Sequence, residues 1–249
     1  IDMCRDTLIV IPVRMGSSRF PGKPLINING KAMIYHVWQK AKQSNCGDVL
    51  VACCDEIVKE YLMNKDIPYV MTKKNLNSGT DRVYEAIKIS LKNRLYKYVI
   101  NLQGDLPNIS SKSIKKLKSI IKIKSVNMAT LVSKIKDKNK LKDKNIVKVA
   151  LSQNNRIKYA VYFSRNLIPY GADIYYEHIG IYAYTISALK KFVSLRKGTL
   201  EKIESLEQLR ALENEIKIRV GEISKPPLSI DTPADLKNFK KIRKNNKKK

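Results

Sequence analysis

LIVIPVRMGSSRFPGKPL, residues 8–25, runs from an apolar segment straight into a loop holding Gly16, Ser17, Ser18 and Gly22, two prolines, and the cations Arg14, Arg19 and Lys23. Leu8 to Val13 reads as a buried strand. A Gly/Ser loop with fixed positive charge at the end of a first strand suits a polyanion, because backbone N–H groups and cations both neutralise phosphate oxygens. The spelling matches neither familiar phosphate loop. A Walker A loop needs G-x-x-x-x-G-K-[ST], but the interval from Gly16 to Gly22 is one residue too long and Pro24 stands where the hydroxyl belongs. The dinucleotide pattern G-x-G-x-x-G is absent as well. Taken alone, the loop also reads as a solvated surface turn.

Outward from this loop, strand and helix alternate. Ala32 to Ser44 reads as a helix with Ile34, Val37, Trp38 and Ala41 at helical spacing; DVLVACC is a strand, Glu56 to Asn64 a helix and IPYVM a strand. The loop TKKNLNSGT, a helix from about Asp81 to Lys92 and the strand YKYVINL follow. This repetition predicts an α/β fold, a mostly parallel mixed sheet with helices on both faces. Ligands of such sheets sit beyond the C-terminal strand ends, so the loop from Arg14 to Lys23, Asp55 and the segment from Gln103 to Pro107 should share one crevice. Further on, Val147 to Ser152 and Ile157 to Phe163 flank an Asn-Asn turn, a small antiparallel addition. EHIGIYAYT is a strand, Ile186 to Val193 a helix, LEKIESLEQLRALEN one amphipathic helix, and EIKIRVGEI a closing strand. The last helix is capped by Thr232 with Pro233 in its first turn.

The 249 residues suit one α/β domain, here residues 1–239, followed by a basic, disordered tail, residues 240–249. No apolar run reaches membrane-helix length and no leader pattern opens the chain, which favours a cytoplasmic protein that does not engage a membrane. Cys4, Cys46, Cys53 and Cys54 lack C-x-x-C spacing and a histidine cluster, so reduced structural thiols are expected rather than zinc or disulfides. The 49 Lys+Arg against 22 Asp+Glu give a net charge of +27. The excess is Lys mixed with Ile and Asn over every surface segment, not Arg clustered beside aromatics, so specific nucleic acid is not the expected partner.

Carboxylates at strand ends carry the candidate chemistry. VINLQGDLP sets Gln103, Gly104 and Asp105 directly after a strand, where Gly104 allows close backbone approach and Asp105 can hold a cation. LSIDTP sets Asp231 between strand and helix. Two carboxylates, waters and phosphate oxygens complete a magnesium octahedron, but Asp231 before Thr-Pro is equally ordinary capping chemistry.

Together IPVRMGSSRFPGKPL, NSGTDR, NLQGDLP, YFSRNLIP, HIGIYAY, LEKIESLEQLRALEN and IDTPADL resemble the 3-deoxy-D-manno-octulosonate (Kdo) cytidylyltransferases, from about Leu8 to Leu236. The resemblance implies that CTP and Kdo are the substrates and that CMP-Kdo, for lipopolysaccharide synthesis, and pyrophosphate are the products. It implies that the α/β fold is of the nucleotidyltransferase (Rossmann-like) type, with Mg2+ on Asp105 and Asp231, and a homodimer. Arg14 and Lys23 join those carboxylates as the implied catalytic residues. Pro12, Val13, Arg14, Gly16, Ser17, Arg19, Lys23, Ser78, Arg82, Gln103 and Gly104 are implied on the nucleotide side, with Gln103 and Arg82 near the base and Ser78 to Asp81 as part of the floor, and Arg165, His178, Tyr182, Glu207 and Gln208 on the sugar side. Without the family, His178 reads as a core histidine and Glu207 as a solvated helix residue. Cys54 stands where the family has an acidic residue, with Asp55 as a one-residue-shifted substitute, and Leu106 stands where it has Glu. A cytidylyltransferase for another acidic sugar is the nearest alternative; a basic nucleic-acid-binding protein is the remote one.

Overall fold

The computed structural model describes residues 6–16, 19–90, 95–154 and 157–246; Cys4 and Ser17 lie outside them. In chain order, β1 (Thr7–Pro12) is followed by a small hairpin, β2 (Asn27–Ile28) and β3 (Lys31–Ala32). Asn29 and Gly30 turn the hairpin with φ of 52° and 85°, the positive dihedrals of an Asn-Gly turn. Then come α1 (Met33–Gln43), β4 (Asp48–Cys53), α2 (Glu56–Met63), β5 (Tyr69–Met71), α3 (Gly79–Ser90), β6 (Tyr98–Asn101), α4 (Ser111–Ile121) and β7 (Met128–Lys134). The chain continues through β8 (Lys148–Asn154), β9 (Ile157–Ser164), β10 (Tyr176–Thr185), α5 (Ile186–Ser194), α6 (Thr199–Glu204), α7 (Leu209–Glu213), β11 (Ile218–Ile223) and α8 (Pro233–Asn246).

These elements divide into two compact units, Ile1–Tyr96 with Asn101–Ile114 and Pro227–Lys249, and Lys97–Ile100 with Lys115–Pro226. In the first, β4 pairs in parallel with both β1 and β5. Every residue of β1 is buried, as a strand of an all-parallel ladder covered by helices requires. Helix α1 buries Ile34, Val37, Trp38 and Ala41, the positions its spacing selects. A satellite cluster of Ile28, Met33, Ile230 and Phe239 ties the hairpin to α8.

In the second unit the strand order is β10-β7-β11-β9-β8. Of these five strands, β11 and β7 pair in parallel, while β10 with β7, β11 with β9 and β8 with β9 are antiparallel. The antiparallel part is therefore larger than the small addition expected, because β7 and β10, unassigned or unpaired in the sequence pattern, join it.

Two other expectations change. Residues 200–214 are not one helix: Ser205 takes a left-handed conformation (φ 54°, ψ 44°) that ends α6, and α7 starts afresh at Leu209. The apolar spacing survives the break, which is why it reads as continuous. Helix α8 runs past residue 240, where the sequence suggests a disordered tail, since Phe239 anchors it in the satellite cluster and lysine is a good helix former. Helix α4 sits in a stretch that reads only as Lys-rich surface, yet Ile114, Leu117 and Ile121 are wholly buried at helical spacing.

Candidate active site

The loop after β1 is held from two sides. Val13 N–H donates to the Ala52 carbonyl at 2.9 Å, and Met15 N–H donates to Asp55 Oδ2 at 2.9 Å. Asp55, just past β4, thus serves as an acceptor beneath the loop rather than lining the cavity. Gly22 adopts φ 73° and returns the chain so that its N–H meets the Met15 carbonyl. The result is a cavity of about 310 Å³ lined by Pro12, Val13, Arg14, Arg19, Lys23, Ser78, Gly79, Arg82, Gln103, Gly104, Asp105 and Asp231, with Pro24, Met33 and Leu76 as its apolar wall. Most nucleotide-side residues named from the sequence meet here. Gly16 does not line it, and Ser17 lies outside the described residues.

Asp105 and Asp231 are brought together by one ammonium. Lys23 Nζ donates to Asp105 Oδ2 at 2.9 Å and to Asp231 Oδ1 at 3.0 Å, while Arg19 reaches Asp231 at 3.2 Å from a more exposed position. The Ile230 N–H bond to the Asp105 carbonyl, 3.0 Å, ties the two segments together. Burial works against the Lys23 charge, but Asp105 and Asp231 outweigh it and raise the lysine above its ordinary pKa. Burial pushes the Asp105 carboxyl up against the pull of Lys23, and the neighbouring Asp231 charge adds to the rise. Asp231 is shifted down: burial opposes its charge, but Lys23 and then Arg19 prevail.

The capping question is answered by neighbours. Asp235 Oδ2 accepts from the N–H groups of Asp231 and Thr232, and Thr232 Oγ1 accepts from Asp235 N–H at 3.2 Å. This is reciprocal capping at the start of α8. The Asp231 side chain is left to face Arg19, Lys23 and the Ser229 hydroxyl.

The floor of the cavity is the start of α3. Ser78 Oγ accepts from Asp81 N–H at 3.1 Å, so Ser78 caps the helix and lines the cavity at once. Arg82 is 2% exposed, its guanidinium pinned by the Thr72 hydroxyl and the Lys73 carbonyl. Gln103 Nε2 donates to Asn101 Oδ1 at 3.0 Å. Gly104 lines the cavity, and it is also held to glycine by packing: a Cβ there would stand 2.8 Å from Val13 Cγ1 and 3.3 Å from the Pro12 carbonyl. Leu106 and Cys54 are buried core residues. Burial, above all, pushes the Cys53 thiol up to about 12, leaving it inert.

The sugar-side residues belong to the second unit. Arg165 is braced there: its Nε and Nη1 donate to the carbonyls of Glu204 and Lys144, and its N–H to the Glu204 carboxylate. His178 lies between the rings of Phe163 and Tyr182, at centroid distances of 5.1 and 5.3 Å. The Thr130 hydroxyl donates to the Ile181 carbonyl (2.8 Å), so it accepts the His178 Nε2–H (3.0 Å), and burial, which disfavours the charged ring, leaves Nδ1 unprotonated. The Tyr182 hydroxyl is buried without a hydrogen-bond partner among the described residues. Gln208 is buried, and Glu207 is partly exposed with Arg210 at 3.7 Å. Sequence reasoning missed Asn101, Thr72 and Asp235, whose partners are set only by folding, and the wall residues Met33 and Leu76. Only for Asp235 was there a signal, its place three residues after Thr232.

The profile of the Cytidylyltransferase family matches residues 8–218. The 3-deoxy-manno-octulosonate cytidylyltransferase of Rhizobium etli is 41% identical over 95% of both chains. That of Paramagnetospirillum magneticum is also 41% identical, over 95% of this chain and 97% of its own. A solved structure of CMP:2-keto-3-deoxy-manno-octonic acid synthetase complexed with CTP superimposes with a TM-score of 0.88 at 35% identity, over 96% of this chain and 99% of that one. The α/β nucleotidyltransferase-like fold is common to both.

Proposed function

The chain belongs to the cytidylyltransferase family, and within it to the 3-deoxy-manno-octulosonate cytidylyltransferases; from that premise we propose how its residues carry the reaction. The enzyme transfers the cytidylyl group of CTP to Kdo and releases pyrophosphate. The anomeric hydroxyl of Kdo forms the new bond to the α-phosphorus as the bond from the α-phosphorus to the bridging oxygen breaks, and no covalent enzyme intermediate is needed.

The observation that carries the assignment of roles is the gathering of Arg14, Arg19 and Lys23 with Asp105 and Asp231 in one cavity. Arg14 and Arg19 neutralise the triphosphate and the charge growing on the leaving pyrophosphate, a stabilisation that increases toward the transition state. The loop anchored by Asp55 presents its backbone to the same oxygens.

Asp105 and Asp231 fit a divalent cation: both already share one positive group at 2.9 and 3.0 Å, and both offer hard oxygen. Among the described residues no cluster of three or more His, Cys, Asp or Glu exists, so the remaining ligands would come from water and phosphate. When bound, Mg2+ supplies charge neutralisation and acidifies the attacking hydroxyl. Lys23, which lines the same cavity, would add its charge to the neutralisation of the phosphates.

In the second unit Arg165, His178, Tyr182, Glu207 and Gln208 supply the polar groups for Kdo by the same reading, as an acidic, many-hydroxyl sugar requires. A homodimer is supported by the exposed Leu167, Tyr170 and Ile174 in the segment preceding β10. A cytoplasmic setting is supported by the free, buried thiols Cys46, Cys53 and Cys54. No described helix is long and apolar enough to cross a membrane.

The test is pyrophosphate release with each nucleoside triphosphate, with and without Kdo. Release only with CTP, Kdo and Mg2+ together is expected. Equal use of purine triphosphates would refute the nucleotide roles, and equal turnover of a sialic acid would refute the sugar roles.

A further inference from the structure

Gln103 lines the cavity. A free glutamine amide turns over readily and offers carbonyl or NH2 with equal ease, so by itself it cannot tell the 4-amino group of cytosine from the 4-oxo group of uracil. Here the amide is engaged. Its Nε2 donates to Asn101 Oδ1 at 3.0 Å, and Asn101 Nδ2 is directed to Thr80 Oγ1 at 3.4 Å. Asn101 is fully buried at the end of β6 and Thr80 is 3% exposed in the first turn of α3, so neither yields its place to water. The other end of the amide, Oε1, lies toward Gly79 on the cavity floor, 3.8 Å from where a Cβ at Gly79 would stand. The absence of a side chain at Gly79 keeps this face open.

We propose that Asn101 is the positioning residue for base selectivity: its buried amide holds Gln103 with the carbonyl toward the base, so that the site accepts from the amino group of cytosine and opposes the 4-oxygen of uracil. The inference rests on the assignment of Gln103 to the base side of the nucleotide. A locked acceptor facing an acceptor leaves both unpaired, and sites built to hydrogen-bond one partner reject the other strongly for that reason. Thr80 completes the chain of amides: its oxygen takes the asparagine NH2, and the asparagine carbonyl takes the Gln103 NH2.

The experiment compares kcat/KM for CTP and UTP, at saturating Kdo and Mg2+, in the wild type, Asn101→Leu and Gln103→Leu. Asn101→Leu is expected to lower the CTP:UTP ratio by roughly tenfold or more, chiefly by improving UTP relative to CTP; a residue that merely supported the fold would lower both substrates alike. Gln103→Leu is expected to abolish the preference through loss of CTP. If Gln103→Leu loses the ratio and a folded Asn101→Leu keeps it, the positioning role is refuted while the base contact stands. If Gln103→Leu keeps the ratio, the base contact itself is wrong and the inference falls with it. Should Asn101→Leu not fold, Thr80→Val decides: it removes the oxygen to which Asn101 is bonded, and an unchanged ratio would refute the proposal.

Discussion

Lowering the pH from about 7.5 to about 5 should destabilise the enzyme through His178, and the size of the effect follows from the site. Burial lowers the imidazole from its ordinary 6.5 to about 3, with no acidic partner opposing the shift. The unfolded chain therefore binds a proton between these values that the folded chain does not. Stability rises with pH wherever the unfolded state holds more protons, so the His178 contribution is complete above about pH 6.5 and declines as pH falls through that value. By pH 5 the decline spans about 1.5 pH units, or about 2 kcal/mol at about 1.4 kcal/mol per unit. His178 is only half-buried as a residue, and water at its open edge reduces this toward about 1 kcal/mol. Other groups titrate nearby, including Glu177, which burial shifts up and Lys140 pulls down. The measurement is therefore a difference. Urea unfolding at both pH values is compared between wild type and His178→Gln, which keeps a donor for Thr130 but has no proton to gain. The variant should lose about 1–2 kcal/mol less than wild type on acidification. Equal losses would mean that the folded protein takes up this proton as readily as the unfolded chain, so that burial does not hold His178 neutral.

Asp231→Asn should lower kcat by about 100-fold, with partial rescue by raised Mg2+, and leave the melting temperature nearly unchanged, while Asp235→Ala should do the reverse, costing about 1 kcal/mol of stability with little loss of kcat; thermal melts and pyrophosphate release separate the two. Glu201 and Arg210 form a bidentate pair at 2.6 and 2.7 Å with both side chains under 10% exposed. Glu201→Ala should therefore cost roughly 3–5 kcal/mol in chemical denaturation, more than the paired change Glu201→Leu with Arg210→Met. Gly198→Ala should lower the melting temperature, because its Cβ would displace the Glu213 carboxylate that accepts from the N–H groups of Leu200 and Glu201 at the start of α6. Deleting residues 240–249 should leave pyrophosphate release nearly unchanged, and any RNA retention by the full chain should collapse with salt and show no sequence preference.

Apolar periodicity and punctuation alone determined the alternation of β1, α1, β4, α2, β5 and α3, because each of these elements buries a face whose spacing is written locally. The same holds for the cationic loop and the carboxylate at Asp105, which follow strand ends directly. The motifs also identified the family, since their order along the chain survives without any coordinates. What the sequence could not determine depends on partners distant in the chain. Lys23 meets Asp105 and Asp231 across separations of 82 and 208 residues, and Met15 meets Asp55 across 40. That the Asp231 side chain does not cap α8 follows only from Thr232 and Asp235, which cap it between themselves. The break at Ser205 was hidden because the apolar stripe continues through it, and β7 and β10 pair only through a register that spans some fifty residues. The orientation of the Gln103 amide, finally, depends on Asn101 and Thr80. Local pattern can say that a glutamine follows a strand, but only the packed neighbours of its amide decide which end it offers.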